Sequence, residues 1–186
     1  MDLFSKYAQW KILGHLLMHP NSKFHIKQMG RILGISPATV SSTLKDLEQY
    51  DLVDKEVVAQ AHLYYLNLEN PAVTSLKEFY GLMLVSSEKP EAAFLDADPD
   101  MLSLALYGSY AKGNYDDMSD IDLLVISNSD KSKYLAVVKD LEERLKRTVS
   151  ISVFKLHQWR GLAKKKDAFY ESVVQEHVLL FGSGIR

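Results

Sequence analysis

The stretch Leu106-Tyr107-Gly108-Ser109-Tyr110-Ala111-Lys112-Gly113, followed by Ser119-Asp120-Ile121-Asp122-Leu123-Leu124-Val125, decides the fold of the C-terminal half. The apolar run up to Tyr107 reads as a strand that ends at Gly108-Ser109, where a helix begins. Glycine permits close backbone approach, and a helix N-terminus with a serine hydroxyl can hold phosphate oxygens. Asp120 and Asp122 stand two apart at the start of the next strand, so both carboxylates project from one face. Two neighbouring carboxylates repel unless a cation sits between them, which makes the pair a natural ligand for hard Mg2+. Such a metal would bridge a nucleoside triphosphate and activate an attacking hydroxyl.

Around this stretch the chain alternates strand and helix. Leu102–Tyr107, Ile121–Ser127 and Val149–Phe154 read as strands, and Lys131–Arg147 as a helix. Helical pieces at Gln158–Lys166 and Ala168–Gln175 precede a last strand at Val178–Phe181. The pattern is that of a small α/β domain with a small mixed sheet.

The constellation is similar to the minimal nucleotidyltransferases of the DNA polymerase β superfamily, whose signature is Gly-Ser followed by Asp-x-Asp. The resemblance spans roughly residues 100–182. It implies that Gly108 and Ser109 contact nucleotide phosphates and that Asp120 and Asp122 bind magnesium and carry the catalysis. It also implies that Lys112 assists phosphate binding and Ser119 the geometry of the motif. Active members of that family place a third carboxylate on the next strand, to bind metal and deprotonate the attacking hydroxyl. Here that strand reads Thr148-Val149-Ser150-Ile151-Ser152-Val153-Phe154, with Ser150 and Ser152 on the face where the acid is expected. No Asp or Glu occurs between Glu143 and Asp167. Serine is no general base at neutral pH, so the domain is expected to bind nucleotide and Mg2+ while transferring poorly or not at all. His157 is a candidate substitute base, although a lone histidine at a helix start is more often a surface residue. Lys164-Lys165-Lys166 reads most simply as a solvated face.

The first 70 residues follow a different rhythm. Phe4, Ala8, Ile12, Leu13, Leu16 and Leu17 recur at helical spacing, and the helix stops at His19-Pro20. A second helix runs through Ile26, Met29, Ile32 and Leu33 to Gly34, a residue that tolerates positive φ. Ser36-Pro37 supplies an N-cap and an N1 proline for a third helix, which turns Val40, Leu44 and Leu47 inward. Leu52–Val58 and Leu63–Leu68 are strand-like, with a turn at Ala59–Ala61. The order resembles that of winged-helix transcription regulators over roughly residues 5–69.

The outer face of the third helix carries Ala38, Thr39, Ser42, Lys45 and Gln49, side chains small or polar enough to meet base edges in a major groove. Lys23, Lys27 and Arg31 around the second helix, with Lys55 and His62 on the wing, are the candidates for phosphate contact. The competing reading is a winged helix used for protein contacts.

Composition bounds these readings. The 186 residues are 47% hydrophobic and 25% charged, an ordinary globular balance. With 22 basic and 24 acidic side chains, the net charge of −2 excludes a polybasic nucleic-acid binder. The balance is uneven along the chain. Residues 1–70 hold 7 basic and 7 acidic side chains, 71–100 hold 2 and 6, and 101–186 hold 13 and 11. A neutral reader domain has little non-specific affinity, so DNA binding is expected to be modest per protomer and helped by a symmetric homodimer. Cysteine is absent, which excludes a thiolate zinc site and cysteine catalysis. There is neither a basic leader nor an apolar run of about 20 residues, so no membrane association is expected and the cytoplasm is the default location.

These observations divide the chain into a winged helix-turn-helix DNA-binding domain at 1–70, a linker helix and connector at 71–99, and a nucleotidyltransferase-like domain at 100–186. In the linker, Val73, Leu76, Phe79, Tyr80, Met83 and Leu84 give Ala72–Ser86 a wide apolar face, suited to packing on either domain or to a dimer contact. Leu95-Asp96-Ala97-Asp98-Pro99-Asp100 reads as a connection. Two functions fit. One is a transcription regulator of double-stranded DNA whose second domain binds a nucleotide. The other is an active nucleotidyltransferase modifying a protein or small molecule; since minimal nucleotidyltransferases often act as antitoxins, a HEPN-domain protein is then a conceivable partner.

Overall fold

The computed structural model describes residues 7–186, which form two compact units. Phe4, expected on the first helix, lies outside the described residues. The first unit runs to Tyr80 and includes Tyr115–Met118; the second holds Gly81–Asn114 and Ser119–Arg186.

In the first unit, helix α1 (Ala8–Met18) buries Ile12, Leu13, Leu16 and Leu17, one stripe of the 3.6-residue period. A short strand β1 (Phe24–His25) leads into α2 (Ile26–Leu33), which ends as expected at Gly34 with φ 67°. Helix α3 (Pro37–Gln49) starts at Ser36, whose Oγ accepts from the Thr39 amide at 3.1 Å, with Pro37 in the first turn. Strands β2 (Val53–Val58) and β3 (Ala61–Leu66) form the wing. Ala59 and Gln60 both take positive φ between them, as a two-residue hairpin loop of right-handed twist demands. The antiparallel sheet has the order β1-β3-β2. β1 is a difference from the sequence reading: two residues carry no periodicity, and only pairing with Leu63 and Tyr64 makes them a strand.

Helix α4 (Pro71–Ser87) buries Val73, Lys77 and Val85 along one stripe. Val73 enters the core with Ile12, Leu16, Met29, Val40 and Leu44, and Leu76 and Tyr80 pack against it. The apolar face of the linker thus covers its own winged helix in part. Gly14 on α1 lets the Tyr80 ring lie directly on the helix, since a Cβ there would sit 2.8 Å from the ring. Lys77 is buried; its Nζ donates to the Tyr115 carbonyl at 2.6 Å and the Tyr115 hydroxyl donates back to the Lys77 carbonyl at 3.0 Å.

The second unit comprises α5 (Pro90–Ala97), β4 (Ser103–Tyr107), α6 (Gly108–Lys112), β5 (Ile121–Ile126), a 3₁₀ turn (Lys131–Tyr134), α7 (Leu135–Leu145), β6 (Val149–Phe154), α8 (Leu156–Lys165), α9 (Ala168–Gln175) and β7 (Val178–Gly182). The sheet order is β6-β5-β4-β7, with β5 and β6 parallel and the other pairs antiparallel. That is the small mixed sheet expected. Ala105, Leu124 and Ile126 pack with Trp159, Val173 and Ile185 on one face. Leu104, Leu106, Leu123 and Val125 point to the other face, as the two-residue period requires.

Two local expectations are revised. The single helix 131–147 is a 3₁₀ turn followed by α7, closed at Lys146 in the left-handed conformation. The connection 95–100 is in part helix α5, and Asp98 just beyond it is fully buried. Its carboxylate accepts from Ser127 Oγ and Tyr134 OH, each at 2.5 Å, and from Lys133 Nζ at 2.8 Å. Burial alone would lift the Asp98 pKa, but these donors outweigh it and hold the carboxyl well below its ordinary value. An acid that looked like linker solvation is the polar hub of the second unit. No helix among the described residues is long and apolar enough to cross a membrane.

Candidate functional site

The carboxylate site is built where β4, β5 and β6 run side by side. Tyr107 pairs with Asp122 across the antiparallel β4–β5 ladder, and Asp122 pairs with Ser150 across the parallel β5–β6 ladder. In-register partners share a face, so the register brings Tyr107, Asp122 and Ser150 together. Asp120, two residues before Asp122, is exposed and Asp122 is half-buried. Burial, and then the Asp120 charge, push the Asp122 carboxyl above its ordinary value.

Gly108 opens α6 with φ 73°, and a Cβ there would collide with Asp122 Oδ2. Glycine therefore serves two ends, a left-handed turn and contact between the backbone and the carboxylate. Ser109, next to Gly108, and Ser119, just before Asp120, are half-buried. Lys112 forms an ion pair with Glu176 at 2.5 Å, an acid on the far side of the chain that its sequence neighbourhood did not disclose.

The two serines of β6 separate clearly. Ser150 Oγ lies 3.5 Å from Asp120 Oδ2, whereas Ser152 Oγ is 3.0 Å from the Tyr107 hydroxyl. Ser150 therefore stands at the carboxylate pair, and Ser152 is held one step along the strand. Tyr107 was not a candidate from sequence, although its place at the end of a strand of known phase puts it beside Asp122. Among the described residues no group of three or more His, Cys, Asp or Glu side chains forms a metal cluster. The donor set is two carboxylates and a hydroxyl. It fits Mg2+, which commonly takes one or two protein carboxylates and completes its shell with substrate phosphates and water.

The residues expected to meet DNA lie on the first unit. Val40 and Leu44 are fully buried, while Ala38, Ser42, Lys45 and Gln49 are exposed on the opposite face of α3. Thr39 is half-buried, and its hydroxyl is 2.8 Å from Ser36 Oγ within the cap. Lys27, Arg31 and His62 are exposed. Lys23 pairs with Glu56 at 2.6 Å and lies over the Tyr65 ring, and Lys55 pairs with Glu48 at 2.9 Å. Two of the five candidate phosphate ligands thus have carboxylate partners already.

The family model of the nucleotidyltransferase domain matches residues 91–183, half of the chain, and that of the MarR family matches residues 6–62. No curated protein matches the chain significantly. Among solved structures, a toxin–antitoxin with AMP-PNP is 21% identical, with a TM-score of 0.38 over 52% of this chain and 73% of that one. A tri-AMPylated HEPN toxin in complex with MNT antitoxin, from Shewanella oneidensis, is 18% identical, with a TM-score of 0.34 over 59% and 73%. Diamide-treated YodB from B. subtilis is 21% identical, with a TM-score of 0.35 over 46% and 84%. The assignment rests on the family models and on the agreement of both folds with them. The chain belongs to the nucleotidyltransferase-domain family and carries, ahead of that domain, a winged-helix domain of the MarR family.

Proposed function

We propose that this protein is a DNA-binding transcription regulator whose nucleotidyltransferase domain holds a nucleoside triphosphate with Mg2+ and transfers its nucleoside monophosphate, with release of pyrophosphate, poorly or not at all. The observation that carries the reading is Ser150, in register with Asp122 and 3.5 Å from Asp120, where the family resemblance calls for a third acid. A neutral hydroxyl adds no charge to a second metal and cannot take a proton from an attacking alcohol at neutral pH. Asp120 and Asp122 would hold the one metal, which supplies charge neutralisation at the phosphates. Gly108 and Ser109 would contact the phosphates, and Ser119 would support the motif. Lys112 would reach phosphate only by exchanging its partner Glu176.

In the first unit, the exposed face of α3 would enter the major groove with Ala38, Thr39, Ser42, Lys45 and Gln49. Lys27 and Arg31 would hold phosphates, and Lys23, Lys55 and His62 would contribute less. The neutral charge of residues 1–70 favours a homodimer on paired half-sites. The alternative is an active transferase with a HEPN-domain partner; the intact Gly108-Ser109 and Asp120-x-Asp122 frame favours it. One experiment separates the two. Calorimetry with nucleoside triphosphate and Mg2+, run beside a labelled-nucleotide transfer assay, should give binding without transfer. Robust transfer lost in Asp120→Ala would instead establish the enzyme.

A further inference from the structure

We propose that the second unit carries a separate binding site for a small organic carboxylate with an apolar body. The site is a cavity of about 470 Å³ at the end of the sheet opposite the Asp120–Asp122 pair. Ser103 and Ile126 line it, whereas the carboxylate site adjoins Tyr107 and Asp122, four residues away along each strand. At strand rise this is about 13 Å, too far for one ligand group to serve both sites. The volume lies within the range of small-molecule pockets.

The chemistry of the walls selects the ligand. Trp159 and Tyr170, with ring centroids 4.9 Å apart, and the side chains of Leu156 and Ile185 supply apolar surface. Two polar groups in these walls are already engaged. Trp159 Nε1 donates to the Ile185 carbonyl at 2.7 Å, and Ser103 Oγ donates to the Ser183 carbonyl at 2.7 Å. The floor therefore rewards hydrocarbon and offers little to a polar body.

The mouth is different. Arg160 and Lys164 are four apart on α8 and thus share a face of the helix. Both line this cavity and also an adjoining hollow of about 430 Å³ that shares Leu102 and Leu156. They stand where the two spaces meet. No Asp or Glu lines either space among the described residues. An apolar body in the larger cavity would place an anionic head between Arg160 and Lys164, and a carboxylate suits the planar fork of arginine.

The test uses the full chain and anilinonaphthalene sulfonate, an apolar anion whose emission rises in apolar sites. Saturable single-site binding is expected, with displacement by naphthoate or decanoate, whichever body fits. Neutral naphthylmethanol should compete about tenfold less well or worse, since it loses the charged contact. Arg160→Ala and Lys164→Ala together should weaken probe and carboxylate about tenfold. Ala163→Phe, which fills the cavity, should abolish binding of both with the thermal unfolding midpoint retained. Equal competition by the neutral alcohol would overturn the proposal. So would probe binding insensitive to the Arg160 and Lys164 changes, both at exposed positions that the fold does not depend on. Loss of probe binding in step with self-association would overturn it too, by assigning the cavity to a second copy of the chain.

Discussion

Ser150 is the direct cross-strand partner of Asp122, and its hydroxyl lies 3.5 Å from Asp120. Placing an acid at this position tests whether the serine there is what would limit transfer. Ser150→Asp should raise nucleotide transfer by about 100-fold or more if the frame is otherwise intact, the range a positioned general base supplies. Ser152→Asp should not, because residue 152 faces Tyr107 one step further on. The check is single-turnover transfer of labelled nucleotide with Mg2+, measured for both variants.

Gly108→Ala should damage the protein and its ligand binding together. The new methyl meets Asp122 Oδ2 and must be held at positive φ. Strain of this kind costs about 1–3 kcal/mol. Denaturant unfolding should report that loss, and calorimetry should show nucleotide binding weakened further, since Asp122 must move.

Asp122 gives the site a pH signature. Its carboxyl titrates above the ordinary 3.8 through burial and the charge of Asp120. A carboxyl raised in the folded state lends stability below its unfolded pKa, and that stability is lost as pH rises through the raised value. At neutral pH the ionised Asp122 is therefore a burden on the free protein. Asp122→Asn should raise the thermal midpoint at pH 7 while abolishing Mg2+-dependent nucleotide binding. In the unsubstituted protein that binding should fall on acidification with a midpoint above 3.8. Opposite movement of stability and binding marks a residue kept for its ligand.

Asp98 shows the reverse sign. Hydrogen bonds from Lys133, Ser127 and Tyr134 overcome burial and depress its pKa, so it stabilises the fold above its unfolded value and loses that effect as pH falls through the depressed one. Asp98→Ala strands the hydroxyls of Ser127 and Tyr134, and leaving buried polar groups without their partner costs about 1–3 kcal/mol. Urea titrations should show this deficit at pH 7 and a narrowing gap between the two proteins as the solution becomes acid.

The contrast between these two aspartates explains what sequence could disclose. Asp122 sits in a local pattern of strand alternation and fixed spacing, so its face and neighbour Asp120 were legible. The same holds for Ser36-Pro37 and Gly34, where capping chemistry is written in adjacent residues. Asp98 looked like part of an acidic connection because its partners lie 29 to 36 residues away and only the folded chain unites them. Alternation put Ser150 and Ser152 on one face but gave no register against β5, so it could not tell which adjoins the acids. Lys23 and Lys55 likewise read as free cations until the wing set Glu56 and Glu48 beside them.

That last difference sets the outcome for DNA binding. A lysine already paired with a carboxylate brings little net charge to a phosphate, whereas Lys27 and Arg31 are exposed and, among the described residues, carry no ion pair. Each phosphate contact contributes about 0.9 to the slope of log affinity against log salt. Lys27→Ala and Arg31→Ala should each lower the slope by about that amount and weaken all sequences alike. Lys23→Ala and Lys55→Ala should change it much less, because a lysine held on Glu56 or Glu48 has no phosphate contact to lose. Ser42→Ala and Lys45→Ala should instead reduce preference for the selected site over random DNA. Fluorescence anisotropy across a salt series, on selected and random duplexes, separates these groups. Equal slopes for the paired and unpaired cations would show that the ion pairs open on DNA.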